Sequence, residues 1–196
     1  MKQIITVYHD FICPFCYIGN RSAKHLEEEF GVGFEWVGWE LMPELPSEGG
    51  ESLSTDHSFI IKRLAYNLNL KFSHPSLLAN TSLALQGAEY AKDNGVAQNY
   101  LDAVYHAYWV SGDNISTLDQ LRPLAECVGL DGGDFEEALS SDQYDDRVLL
   151  KPDAVELDIR KVPTFVFDGH RIVGNVPFSA LREAVKVYAL GYESIL

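Results

Sequence analysis

The sequence is short of the features that mark a secreted or membrane protein. It contains only three cysteines in 196 residues, too few for the disulfide framework of a small secreted domain. No apolar run approaches the roughly 18 residues that a membrane-spanning helix needs. Residues 1–10 carry one lysine but no long apolar stretch and no small-residue cleavage site, which is unlike a signal peptide. We therefore expect a cytoplasmic protein with no membrane association.

Basic residues are scarce as well. Lysine and arginine total 15 against 29 aspartates and glutamates, which gives a net charge of −14. A surface with this charge repels the phosphates of nucleic acids, so we expect no nucleic-acid partner. The apolar fraction of 46% and the charged fraction of 22% are ordinary for a globular protein and argue against disorder.

The first fifty residues carry strand and helix patterns in turn. Residues 3–9 and 34–41 alternate apolar and polar side chains, as half-buried strands do. Between them, the spacing of Leu26 and Phe30 predicts a helix that Gly31 ends. A strand, a helix and a second strand in succession favour a parallel pair joined by a crossover helix.

The long middle of the chain is almost wholly helical in pattern and offers no strand. We predict helices near residues 57–69, 76–93, 97–110, 117–128, 133–140 and 142–159, the last kinked or restarted at Pro152. The helix near 97–110 carries an apolar stripe that we interpret as core, formed by Leu101, Val104, Tyr105, Tyr108 and Trp109.

Strand patterns return near the end of the chain. Residues 164–167 and 170–173 are rich in β-formers and flank an Asp168-Gly169 turn, which is a strong hairpin signal. A last helix follows from about Pro177.

These elements predict an α/β fold of chain order βαβ…ββα. Residues 1–55 and 158–196 would form one sheet-containing domain. Residues 56–157 would form an inserted all-helical domain of about 100 residues.

The motif Cys13-Pro14-Phe15-Cys16 stands where the first strand meets the first helix. Cysteines three residues apart on a helix lie on one face and can form a disulfide with little backbone change. Pro14 suits the first helical turn, and the free N–H groups of that turn stabilise the thiolate of Cys13. Cys16 lies deeper in the helix and suits the resolving role. The motif therefore predicts redox catalysis by Cys13 and Cys16.

Two plainer interpretations of the cysteines remain open at this point. A Cys-x-x-Cys motif is also half of a structural zinc site, but such a site needs four ligands, and Cys127 stands alone among scattered histidines. We therefore expect no metal. The pair could also be inert and buried, and we interpret Cys127 as a small buried apolar residue.

Residues 10–19, which contain the Cys13–Cys16 motif, and residues 162–169, which begin Val162-Pro163, together resemble the DsbA family of thioredoxin-like proteins. The resemblance is to its cytoplasmic FrnE-like oxidoreductase branch, whose relatives include 2-hydroxychromene-2-carboxylate isomerase and kappa-class glutathione transferase. It runs nearly end to end and implies a thioredoxin-like fold with the helical insertion.

The resemblance also implies roles for residues far from the cysteines. Pro163 would be a cis-proline facing the disulfide, and the backbone of Val162 would pair with an extended substrate segment. From the residues alone, an ordinary trans turn would be the default for Val162-Pro163. We assign Phe15, Val162 and Pro163 to the substrate-binding surface.

Some residues depart from the pattern or have two interpretations. Phe15 stands where the best-known periplasmic oxidant has histidine, so we expect a less oxidising cysteine pair. Arg160 and Lys161 could attract an acidic thiol such as glutathione, although a solvated pair is the simpler interpretation. Asp10 could cap the turn before Cys13 or influence a proton at the disulfide.

The leading hypothesis for function is thiol–disulfide exchange with protein substrates or with glutathione, by a monomer or homodimer. It requires no cofactor, although glutathione could act as co-substrate. The first alternative is a glutathione-dependent isomerase or transferase of small aromatic substrates. The relatives with that activity generally have serine at the position of Cys13. The second is a non-catalytic binding protein.

Overall fold

The computed structural model describes most of the chain, namely residues 2–51, 66, 71–73, 75, 77–141, 143–149 and 152–193. The helix predicted over residues 57–69 lies outside these residues except at position 66.

The chain opens with the predicted strand, helix and strand. Strand β1 spans Ile4–His9, helix α1 spans Pro14–Phe30 and strand β2 spans Gly33–Gly38. Strands β1 and β2 pair in parallel, with Ile4 opposite Gly33. Gly31 ends the helix with φ of 68°, a left-handed conformation that glycine adopts without steric cost. The predicted crossover unit is therefore confirmed.

Strand β2 ends three residues earlier than predicted. The amide of Trp39 donates to the His9 carbonyl at 2.7 Å, but the amide of Leu41 donates to the Asp10 carboxylate at 2.7 Å. Because that side chain replaces a backbone acceptor, the ladder stops there. The chain after β2 is thereby fastened to the chain after β1.

The prediction that the middle of the chain contains no strand is wrong. Strand β3, Gly50–Glu51, pairs antiparallel with strand β4, Leu77–Leu78. The helix predicted from residue 76 begins only at Ser82, because the Asn80 side chain accepts the Ser82 amide at 3.1 Å and turns the chain there.

Helices make up the rest of the described insertion. They are α2 at Ser82–Asp93, α3 at Ala97–His106, α4 at Leu118–Cys127, α5 at Gly132–Ser140, α6 at Asp145–Leu149 and α7 at Pro152–Glu156. Helix α3 continues as a wider π-helical turn to Ser111, and α7 begins at Pro152 as expected. No helix within the described ranges is long and apolar enough to cross a membrane.

The predicted hairpin and last helix complete the fold. Strand β5 spans Thr164–Phe167 and strand β6 spans His170–Val173. Asp168 and Gly169 turn the chain with φ of 41° and 87°. Helix α8, Phe178–Ala184, follows and extends by a π-helical turn to Ala189.

The main sheet has the strand order β2-β1-β5-β6, with β5 antiparallel to both of its neighbours. This order and the chain order βαβ…ββα confirm the expected thioredoxin-like fold. One buried cluster packs Ile5 and Phe165 of the sheet against Leu26 of α1 and Leu181 of α8. A second runs from Tyr8 into the helical insertion. The domain boundaries at residues 55 and 157 stay a prediction.

Helices α2 and α3 approach each other closely at Gly87. A Cβ atom at this position would lie 2.2 Å from the Tyr100 hydroxyl and 3.0 Å from Cζ of Phe135. The Tyr100 hydroxyl is buried and has no hydrogen-bond partner. Close contact between the helices therefore depends on the missing side chain.

We expect Gly87→Ala to lower the free energy of unfolding by about 1–2 kcal/mol, although alanine favours helix, because the added methyl overpacks this contact. Urea denaturation measures the change. Tyr100→Phe alone should be neutral or stabilising, since it removes an unsatisfied buried hydroxyl. When Tyr100→Phe is combined with Gly87→Ala, part of the lost free energy of unfolding should be recovered. If Gly87→Ala costs the same free energy with and without the Tyr100 hydroxyl, the proposed contact is contradicted.

Candidate functional site

Cys13 is the residue that caps helix α1. It has extended backbone angles, φ −82° and ψ 112°, and its Sγ accepts the Cys16 amide at 3.3 Å. Its own amide donates to the Asp10 carbonyl at 3.1 Å, which closes the turn that leads from β1 into the helix. Pro14 then occupies the first turn, as predicted. The helix N-terminus therefore presents an N–H donor to the Cys13 sulfur.

Cys16 lies one turn further along and is fully buried. Burial raises the pKa of the Cys16 thiol well above its usual range, and the contact with Cys13 adds to this effect. A hydrogen bond from the Asp10 backbone opposes it. Both cysteines are free thiols, and Cys13 is 4% exposed. Both thiols are thus buried, and Cys13 is slightly more accessible than Cys16.

The fold brings Val162 and Pro163 to the cysteines. The Cys13 thiol donates to the Val162 carbonyl at 3.5 Å across 149 residues of sequence. The Val162–Pro163 peptide bond is cis, as the family resemblance implies. The amide of Gly174 donates to the Pro163 carbonyl at 2.7 Å and holds this loop against the end of β6.

Phe15 lies next to the same loop. It is half-buried and borders a shallow cleft together with Gly19 and Pro163. A Cβ atom on Gly19 would lie 3.3 Å from the Phe165 ring and 3.8 Å from Pro163. The absence of a side chain at this position therefore lets α1 pack closely against the loop. All five predicted site residues lie in one region, and their roles stay predictions.

Asp10 has the capping role, which is one of its two interpretations, and it is completely buried. Its carboxylate accepts the amides of Ile12 at 3.3 Å and Leu41 at 2.7 Å. Burial nevertheless raises the pKa of Asp10 to about 6, because these donors only partly replace water. A titratable carboxyl therefore lies directly beneath the redox loop.

The helical insertion supplies side chains that the sequence did not assign to the site. The Tyr105 hydroxyl and His9 Nδ1 are hydrogen-bonded at 3.0 Å, and the Trp109 indole donates to the Phe11 carbonyl at 2.8 Å. The stripe that contains Tyr105 and Trp109 is buried, as predicted. Its polar atoms also fix the loop that precedes Cys13, which helical spacing alone could not reveal.

Tyr17 and Arg160 flank the site with little polar contact to it. The Tyr17 hydroxyl donates to the Lys71 carbonyl at 3.2 Å. The Tyr17 ring is nearly parallel to that of Trp109, with 6.5 Å between the ring centroids. Arg160 is exposed and bonds Asp158 at 2.6 Å, and Lys161 is exposed as well. This favours the interpretation of Arg160 and Lys161 as a solvated pair.

The interpretation of Cys127 as buried is wrong. It lies exposed at the last turn of α4, where its thiol donates to the Leu124 carbonyl at 3.1 Å. The helix packs other residues inward, including Leu121 and Ala125, so its register turns Cys127 outward. Within the described ranges, no three histidine, cysteine or acidic side chains cluster as metal ligands would.

Glu40 is a residue of this region that the sequence did not indicate. It is half-buried and lines a cavity of about 440 Å³ next to the loop that precedes Val162. Burial, together with the charges of Asp10, Glu44 and Asp145, raises the pKa of Glu40 to about 7. The Glu40-Leu41 dipeptide gave no signal because its burial depends on how the chain turns after β2.

Comparison with known proteins gives matches over nearly the whole chain. A family model described as a DSBA-like thioredoxin domain matches residues 4–186. The uncharacterized protein YwbO of Bacillus subtilis (strain 168) is 32% identical over 193 residues, covering 94% of this chain and 96% of that protein. The 2-hydroxychromene-2-carboxylate isomerase of Pseudomonas sp. (strain C18) is 28% identical over 202 residues, covering 93% and 90%.

Solved structures show the same fold. The probable DsbA oxidoreductase SCO1869 of Streptomyces coelicolor superposes with a TM-score of 0.84 at 22% identity, over 99% of this chain and 92% of that one. The cytosolic disulfide reductase DsbM of Pseudomonas aeruginosa, solved with GSH, gives 0.72 at 17% identity, over 94% and 98%. At these identities the likeness establishes the fold alone.

The raised pKa of Asp10 predicts a particular dependence of stability on pH. The folded protein holds the proton up to about pH 6, whereas the unfolded chain releases it near 3.8. Asp10 therefore contributes stability below pH 3.8 that is lost as the pH rises to about 6. Relative to Asp10→Asn, the wild type should lose up to about 3 kcal/mol of unfolding free energy between pH 4 and pH 7.

Urea denaturation of both proteins at several pH values measures this difference. Asp113→Asn, at an exposed position, is the control for the chemical change itself. A wild-type-to-Asp10→Asn difference that stays constant from pH 4 to pH 7 would contradict the raised pKa.

Proposed function

The chain belongs to the family of DsbA-like thioredoxin domains, and we propose that it catalyses thiol–disulfide exchange through Cys13 and Cys16. The observation that carries this proposal is the position of the Cys13 sulfur, which accepts the Cys16 amide and faces the Val162 carbonyl. One sulfur thus has a donor that stabilises its thiolate and a neighbouring strand end along which a substrate can bind.

The proposed reaction has two steps. The Cys13 thiolate attacks one sulfur of a substrate disulfide, and the other sulfur leaves and takes up a proton. Cys16 then gives up its proton and attacks the Cys13 sulfur of the mixed disulfide, which releases the second substrate thiol. Two electrons pass to the substrate, and Cys13 and Cys16 become disulfide-bonded. Because burial keeps Cys16 protonated, it does not compete with Cys13 for the first attack.

Substrate binding is proposed at the loop that faces Cys13. An extended segment would pair with the backbone at Val162, with Phe15 and Pro163 forming the apolar surface beside it. The cleft at these residues is shallow, so it suits a segment lying on the surface rather than an enclosed small molecule.

Glutathione is proposed as the recycling co-substrate. Two molecules of the thiol would reduce the Cys13–Cys16 disulfide and leave as glutathione disulfide. The structure of DsbM with GSH, and the description of that protein as a cytosolic disulfide reductase, support this choice and a cytoplasmic location. Since Phe15 offers no hydrogen bond or charge to the Cys13 thiolate, we continue to expect a pair less oxidising than that of the best-known periplasmic oxidant and suited to reduction or isomerisation.

A glutathione-dependent isomerase is the alternative, and the 2-hydroxychromene-2-carboxylate isomerase relatives favour it as the second candidate. Such chemistry needs a thiol-binding site but no resolving cysteine. The presence of both Cys13 and Cys16 at the helix N-terminus supports disulfide exchange over it.

Reduction of insulin by glutathione tests the proposal. Cys13→Ala should lower the catalysed rate by roughly a hundredfold or more, because it removes the nucleophile. Cys16→Ala should stall as a mixed disulfide, which non-reducing electrophoresis and mass spectrometry detect through the added mass. Cys127→Ser is the matched control and should retain full activity, since Cys127 lies exposed on α4.

Full turnover of insulin by Cys16→Ala without a trapped intermediate would argue against the two-cysteine mechanism. Conversion of 2-hydroxychromene-2-carboxylate that persists in Cys16→Ala would support the isomerase instead.

A further inference from the structure

The cavity that Glu40 lines contributes to none of the proposed redox steps. One wall is the chain after β2, with Trp39 and Glu40, and the other follows α7, with Ile159 and Arg160. Buried apolar side chains, among them Ala154, form its floor. Its volume of about 440 Å³ accommodates a long side chain of a bound polypeptide.

Both walls are connected to the cysteine loop. The Leu41 amide donates to the carboxylate of Asp10, whose carbonyl accepts the Cys13 amide at 3.1 Å. On the other wall, Arg160 precedes Val162 by two residues, so their Cα atoms lie within about 7 Å. The cavity wall at Arg160 is therefore close in sequence to the Val162 carbonyl that faces the Cys13 sulfur.

One carboxylate oxygen of Glu40 is buried without a partner among the described residues. This oxygen, Oε1, accepts no hydrogen bond, and no lysine or arginine of the described residues forms an ion pair with Glu40. The charges that act on it come from Asp10, Glu44 and Asp145, all of them acidic. A partly buried carboxylate among like charges is stabilised by any cation that can reach it.

The arginine at the rim does not supply that cation. The Arg160 guanidinium bonds Asp158 at 2.6 Å, and its side chain is 80% exposed. Its charge is thus balanced at the surface, while the interior of the cavity stays acidic.

We propose that this cavity binds a lysine side chain of a polypeptide substrate, located two residues from the reacting cysteine, with the ammonium on Glu40. This rests on the proposed disulfide exchange and specifies its substrate class. Residues two apart on an extended strand point to the same side and lie about 6.6 Å apart, which is within the roughly 7 Å that can separate the Cα atoms of Val162 and Arg160. The apolar stem of lysine suits Trp39 and Ile159, and its charged end suits Glu40.

The test uses short peptide disulfides that oxidise the reduced protein. Each peptide carries one cysteine and a single variable residue two positions before or after it, either lysine, norleucine or glutamate. Acid quenching and chromatography give the second-order rate constant for each. We expect one lysine peptide to react about tenfold faster than its norleucine counterpart, as for one charge-assisted contact, and the glutamate peptide to react most slowly.

Two variants separate the cavity from general electrostatics. Glu40→Gln keeps the shape of the side chain and should abolish the preference for lysine over norleucine. Glu44→Gln removes an equal charge from an exposed position outside the cavity and should leave most of that preference in place.

A small uncharged disulfide, 2-hydroxyethyl disulfide, distinguishes the possible failures. It cannot fill the cavity, so its reduction by the wild type reports on the cysteine pair alone. Equal rates for the lysine and norleucine peptides, with this disulfide still reduced, would overturn the lysine site alone, as would a preference for glutamate. Loss of activity toward every disulfide in the wild type would overturn the proposed function itself.

Discussion

The Cys13 sulfur lies 3.5 Å from the carbonyl oxygen of Val162, although 149 residues separate them in sequence. That contact requires β1 and β5 to be neighbours in the sheet, because Cys13 follows β1 and Val162 precedes β5. It also requires α1 to lie directly on β5, which the missing side chain of Gly19 permits. The geometry of the redox site therefore follows from one antiparallel pairing and one close helix–strand contact.

The helical insertion is part of this arrangement. Tyr105 and Trp109 bond residues that lead into Cys13, and their rings contact that of Tyr17 on α1. By excluding water they create the surroundings in which Cys16 stays protonated and the pKa of Asp10 rises. The insertion thus influences the chemistry without contributing a reacting group.

The Cys13 sulfur lies in a strongly acidic protein. The carboxyls of Asp10 and Glu40 lie near the redox loop. The Cys13 sulfur depends instead on the N–H groups of the helix N-terminus, of which the Cys16 amide is the observed donor. Backbone dipoles can stabilise a thiolate without neutralising nearby acidic groups. A thiolate site and an acidic cavity can therefore lie next to each other.

Local patterns in the sequence determined the βαβ start, the Asp168-Gly169 hairpin, the capping of α1 by the Cys13 motif and most helices, because these depend on spacing and turn chemistry within a few residues. The pairing of Gly50–Glu51 with Leu77–Leu78 escaped them, since two-residue strands carry no periodicity. The exposure of Cys127, the contacts of Tyr105 and Trp109 and the cavity at Glu40 were decided only by the tertiary structure. Each of them depends on which distant segment packs against a given side chain, and burial and charge at the site follow from that packing.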